Sequence, residues 1–106
     1  MPNWIDVAAE ADCQLGQALE VVAAKRMVAV YHTEEGYFAT DGMCAHQGGP
    51  VGQGELCGNI VTCPWHGWQY DVTSGKHLLS SIHLDCYPVK VEDGRIWVDI
   101  PSDDEG

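Results

Sequence analysis

Short alternating or wholly apolar runs, cut by turn residues, make up most of the chain. Ala18-Leu19-Glu20-Val21-Val22 and Met27-Val28-Ala29-Val30-Tyr31 read as strands flanking a turn near Lys25-Arg26. Tyr37-Phe38-Ala39-Thr40 follows Glu34-Glu35-Gly36, whose glycine tolerates the positive φ of a tight hairpin. Ile60-Val61-Thr62 and Trp68-Gln69-Tyr70-Asp71-Val72 bracket a stretch rich in cysteine and histidine. Near the end, Val89-Lys90-Val91-Glu92 and Ile96-Trp97-Val98-Asp99-Ile100 alternate on either side of Asp93-Gly94, the strongest hairpin signal present. Only Ala8-Ala9-Glu10-Ala11-Asp12, ahead of Gly16, is expected to form a turn or two of helix. With 12 glycines and 5 prolines spread along the chain, the pattern predicts an all-β fold, a small antiparallel sandwich or barrel.

The length of 106 residues, without repeat or linker, predicts one domain over 1–106 with a frayed acidic tail at 101–106. A chain this small buries only about two-thirds of its unfolded surface, so a staple or bound group matters to its stability. Mean hydropathy is −0.15, as for a globular chain. No run approaches the ~18 apolar residues of a membrane span, and the opening residues lack the basic and apolar regions of a signal peptide. The expectation is a cytoplasmic protein with no membrane partner.

Charge narrows the partners. Lys plus Arg number 5 and Asp plus Glu number 16, a net charge of −11. Such a surface repels nucleic acid and anionic lipid and suits a docking partner with a basic face, although solubility alone also accounts for it. Five cysteines are many for this length, and an odd number. Without a signal peptide they point to metal before a disulfide framework.

The metal-binding pattern lies between residues 44 and 66. Cys44-Ala45-His46 and Cys63-Pro64-Trp65-His66 are two Cys/His pairs separated by the 16 residues 47 to 62. Two soft thiolates and two imidazoles offered from two loops suit a metal centre. Both ligands of Cys-x-His gripping one tetrahedral zinc ion is awkward, since zinc sites usually space each pair by two to five residues. A two-iron cluster removes the difficulty: one iron takes Cys44 and Cys63, the other His46 and His66.

In these residues the chain resembles the Rieske-type [2Fe–2S] ferredoxins, whose pattern is Cys-x-His, a spacer of comparable length, then Cys-x-x-His. The flanks agree, with Gly49-Pro50 after the first pair, Cys63-Pro64-Trp65-His66-Gly67-Trp68 at the second, then Tyr70-Asp71 and the turn Thr73-Ser74-Gly75. The resemblance implies a Rieske fold with one [2Fe–2S] cluster, cluster-binding loops at about 43–50 and 62–70 at one tip, and Cys44, His46, Cys63 and His66 as ligands. Gly48, Gly49, Pro50 and Gly67 then shape the loops, while Trp65 and Trp68 shield the cluster.

High-potential members of the family carry an extra cysteine in each loop, at positions held here by Gly49 and Trp65, so their disulfide is excluded. Their sulfur-bonding serine is replaced by Trp68, while Tyr70 matches a tyrosine that can donate to a ligand sulfur. Tyr70 also reads as a plain core aromatic. Donors to the sulfurs stabilise the extra electron, so one lost and one kept predicts the lower half of the family range of about −150 to +300 mV. Cys13, Cys57 and Cys86 read as structural cysteines, with a reducing compartment arguing against a Cys57–Cys86 disulfide. His32, His77 and His83 read as surface or satisfied histidines, a place near the docking face for His77 or His83 being the lesser alternative.

A cluster with four protein ligands leaves no open iron for a substrate. The mononuclear-iron domain of a Rieske oxygenase has no place in this sequence, so no enzyme activity of its own is expected. The resemblance implies instead a soluble one-electron carrier between a flavin or iron–sulfur reductase and a terminal oxygenase. The alternatives are a cluster-bearing small subunit of a nitrite-reductase-like complex and an interaction module stapled by its cluster.

Overall fold

The chain's centre is the strand whose side chains are apolar on both faces. In the computed structural model, which describes residues 3–23, 25–42, 51–64 and 67–100, this is β3 (Arg26–Thr33). Successive strand residues point to opposite faces. Val28 and Val30 accordingly enter one core cluster, while Ala29 and Tyr31 enter a second. All four are fully buried.

Three antiparallel sheets surround these cores. In the central one β2 (Ala18–Ala23), β3, β4 (Gly36–Asp41) and β9 (Cys86–Tyr87) lie side by side. A second sheet sets β11 (Arg95–Asp99) between β1 (Trp4–Ala9) and β10 (Val89–Glu92). Its Ile96 and Val98 meet Val28, Val30, Ala39 and Tyr87 in the first core. The third sheet, β5 (Glu55–Cys57), β6 (Ile60–Thr62), β7 (Gln69–Asp71) and β8 (Lys76–His77), encloses the second core through Val61 and Tyr70. The all-β expectation therefore holds.

The turns follow their residues. Asp93 and Gly94 have φ of 54° and 76°, the two positive values of a type I′ turn, and Glu92 pairs with Arg95 across it. Thr33 pairs with Gly36 across Glu34-Glu35.

Three expectations need correction or completion. The segment Ala8-Ala9-Glu10-Ala11-Asp12 is not helical as a whole: Ala8 and Ala9 close β1 against Ile96 and Arg95, leaving a single 3-10 turn at Glu10–Asp12. Pairing with β11 and burial of Ala8 override the high helix propensity of the two alanines, as tertiary context routinely does. Strand β1 itself, and the two- and three-residue strands β5, β8 and β9, are additions to the sequence reading. Cys57 and Cys86 are exposed thiols, and neither is in a disulfide. The tail 101–106 lies outside the described residues, and no described helix is long and apolar enough to cross a membrane.

Candidate metal centre

Of the four expected ligands, Cys63 lies among the described residues; Cys44, His46 and His66 lie outside them, as do Gly48, Gly49, Pro50 and Trp65. The frame that holds both ligand segments is nevertheless described on every side.

The first segment leaves β4 at Asp41 and returns in a 3-10 turn at Val51–Gln53. Its ends are clasped, since the Val51 N–H donates to the Gly42 carbonyl at 3.0 Å. The Gly42 N–H in turn donates to Met27 of β3 at 2.9 Å. A Cβ on Gly42 would lie 2.5 Å from the Met27 side chain, so only glycine lets the clasp sit this close to β3. On the return side a Cβ at Gly54 would lie 2.1 Å from the Thr62 carbonyl oxygen. This close approach seats the end of the first segment against the start of the second, because Thr62 immediately precedes Cys63.

The second segment is closed by the Cys63 N–H donating to the Trp68 carbonyl at 2.7 Å, between β6 and β7. Cys63 is 1% exposed and packs in the second core with Val51, Val61 and Tyr70. Tyr70 is fully buried in that same cluster. Gly67, at φ 69°, turns the chain back toward Trp68, a conformation that disfavours any side chain.

Trp68 is half-buried and stacks on His77, with ring centroids 4.1 Å apart. His77 also lies 5.5 Å from the Tyr70 ring and hydrogen-bonds Ser80 Oγ through Nδ1 at 2.8 Å. It is thus a satisfied, buried histidine behind Trp68, whereas His83 is exposed and His32 bonds the Cys13 carbonyl far along the chain. The loop beyond β8 presents Leu78, Leu79 and Ile82, exposed to 46%, 89% and 41%. It is not slack: His77 donates its N–H to Ile82, and Leu78 donates to Gln69.

Burial favours the protonated forms of the Tyr31 phenol and of the Cys86 and Cys13 thiols. Burial pushes the Tyr31 phenol far up, with the Cys86 and Cys63 thiols and Tyr70 adding to the effect, so it stays a donor or acceptor toward Thr40 Oγ1 at 2.9 Å. The Cys86 thiol is also raised, by burial and then by Asp85, Asp41 and Asp71. Cys13 sits in the first core, where burial pushes its thiol up to about 11 and its sulfur points at the Gln17 and Val30 carbonyls.

Of the expected donors the described residues include Cys63, and its surroundings are compatible in chemistry with one thiolate ligand of a two-iron, mixed Cys/His cluster. Cys63 offers a buried thiol at the mouth of a clasped turn, and the first segment's return is pressed against that same turn by a glycine contact. Sequence reasoning missed the frame residues Asp41, Gly42 and Gly54. The Asp41-Gly42 pair just ahead of Cys44 and the glycines just after Pro50 were the available signals, but close approach is a tertiary property that spacing does not express.

Comparisons with known proteins agree with this geometry. The chain is 33% identical over 100 residues, 92% of this chain and 96% of the relative, to the ferredoxin component of the naphthalene 1,2-dioxygenase system of Pseudomonas putida. Its fold superposes on a ferredoxin of Sphingomonas yanoikuyae B1 with a TM-score of 0.83 at 30% identity, covering 93% of this chain and 100% of the other. A structure described as the complex of reduced oxygenase and oxidised ferredoxin in carbazole 1,9a-dioxygenase contains a chain matching with a TM-score of 0.82 at 29% identity, over 91% and 92%. The Rieske [2Fe-2S] domain matches residues 3–88, and the chain belongs to that family.

Proposed function

We propose that the chain is a one-electron carrier that delivers electrons to a terminal oxygenase and is recharged by a flavin or iron–sulfur reductase. The observation that carries this reading is the buried Cys63 thiol at a clasped turn, with the return of the first ligand segment packed against it. When bound, a [2Fe–2S] cluster supplies one reversible electron. Cys44 and Cys63 would hold one iron as thiolates, and His46 and His66 would hold the other as imidazoles. Gly67 gives the chain its turn beside His66, and Trp68, backed by His77, limits water on that side.

Nothing in this arrangement activates a substrate, and its work is positioning and electrostatics. The buried Tyr70 hydroxyl is placed in the same apolar cluster as Cys63, where donation to a ligand sulfur would favour the reduced state. Leu78, Leu79 and Ile82 form an apolar rim beside Trp68, and the chain's net charge of −11 favours partners with basic docking faces. The exposed thiols Cys57 and Cys86 suit a reducing compartment, the cytoplasm. Residues 1–106 act as one unit in this reading.

A reconstituted system tests it. NADH, a Rieske-system reductase, a substrate-loaded ring-hydroxylating oxygenase and this protein are mixed, and product is followed as the carrier is titrated. Product formation that depends on the carrier and is lost in His66→Ala supports the proposal. A reduced carrier that no substrate-loaded oxygenase reoxidises faster than buffer does overturns it.

A further inference from the structure

Where β4 ends, three side chains from three strands converge on one face of the central sheet. Tyr87 pairs with Ala39, Asp41 pairs with Val28, and Arg26 lies two residues before Val28, so Tyr87, Asp41 and Arg26 share a face. The Tyr87 hydroxyl donates to Asp41 Oδ1 at 2.6 Å, and Arg26 Nη1 donates to the Tyr87 oxygen at 3.1 Å. Tyr87 is 6% exposed, and burial with the Asp41 bond pushes its phenol up to about 12, so the proton stays in place throughout the physiological range.

The main chain is tied down at the same point. The Asp41 N–H donates to Asp85 at 2.9 Å, and Gly42 bridges Met27 on one side and Val51 on the other. Asp41 stands three residues before Cys44 and five before His46. Apolar residues would hold β4 to β9 equally well. A chain of charge-assisted bonds adds direction, which matters where a strand becomes a ligand-bearing segment.

We propose that Arg26, Tyr87 and Asp41 form a relay of positioning residues that fixes the departure of the first ligand segment and thereby the placement of Cys44 and His46 on the cluster. The inference rests on the ligand assignment made above. The relay acts through those ligands and touches no iron itself.

The test uses the intact holoprotein and two readouts: iron release to bathophenanthroline, and the EPR g-values of the dithionite-reduced form. Tyr87→Phe and Asp41→Ala should each release iron about tenfold faster than the parent, the lower end of losses seen when outer-shell partners are removed, and should alter the g-spread. Asp41→Asn keeps an oxygen acceptor for the Tyr87 hydroxyl but loses the charge, and should fall between Asp41→Ala and the parent in both readouts. Val98→Ala, which shares the first core with Tyr87 but makes none of the relay's hydrogen bonds, serves as a control for loss of packing alone. Release from Tyr87→Phe no faster than from Val98→Ala, with unchanged g-values, overturns the relay while leaving the ligand assignment intact. A parent protein that retains no iron overturns the ligand assignment, and the relay falls with it.

Discussion

Cys13 shows what burial does to a single ionisable group. Its thiol is fully enclosed by the first core and pushed up from 9.0 to about 11. The folded state therefore holds a proton that the unfolded chain releases at lower pH. Stability from this group is intact below pH 9 and lost as pH rises from 9 toward 11. Thermal melts of Cys13→Ala should accordingly fall less between pH 8.5 and 10.5 than those of the parent, on a scale of about a few degrees. Gly54 is constrained by space instead: with a Cβ set 2.1 Å from the Thr62 oxygen, Gly54→Ala must displace the junction of the two ligand segments. Denaturant titration should show a loss of about 1–3 kcal/mol, the usual cost of overpacking, and purified protein should carry less iron. The ligand pattern was legible at this scale because coordination chemistry is expressed locally, in Cys-x-His and Cys-x-x-His. The relay was not, since Tyr87 stands 61 residues from Arg26 and 46 from Asp41.

Among elements, legibility followed the range of the interactions that define them. The Asp93-Gly94 hairpin and the pairs β2–β3 and β3–β4 are local, and their alternation and turn residues name them. Strand β1 acquires its state from β11, with Trp4 paired to Asp99 across nearly the whole chain, so Ala8 and Ala9 read misleadingly as helix. Strand β9, two residues long, exists only as a partner of β4, and the third sheet is built of two- and three-residue strands that define one another. The loop after β8 illustrates an element with a functional reading: its leucines are exposed, yet its backbone is bonded to Gln69 and Ile82. Such rigidity lowers the ordering cost of docking. Leu79→Asp should leave the reduced EPR spectrum unchanged while slowing electron delivery to an oxygenase by about tenfold, as stopped-flow reoxidation would show. Slowing accompanied by an altered spectrum would place Leu79 in the cluster's support instead of its docking rim.

For the whole molecule, the two cores divide the labour. The first, between the central sheet and the β1–β11–β10 sheet, does not include Cys63, the expected ligand among the described residues. The second contains Cys63 and Tyr70 and depends on whatever joins the two ligand segments. The net charge of −11 acts on both partners at long range. Electron transfer with a basic-faced reductase or oxygenase should slow steeply as ionic strength rises from about 10 to 500 mM, because the Debye length shrinks from about 30 to under 10 Å. A rate that is flat in salt would mean the charge serves solubility alone.

In this reading Cys44, His46, Cys63 and His66 together hold one [2Fe–2S] cluster with mixed ligation. It is tested most directly by EPR of the dithionite-reduced protein, purified under reducing, iron-replete conditions. Mixed ligation should give a rhombic spectrum whose average g lies below that of an all-cysteine cluster. A colourless, EPR-silent protein containing zinc would contradict it.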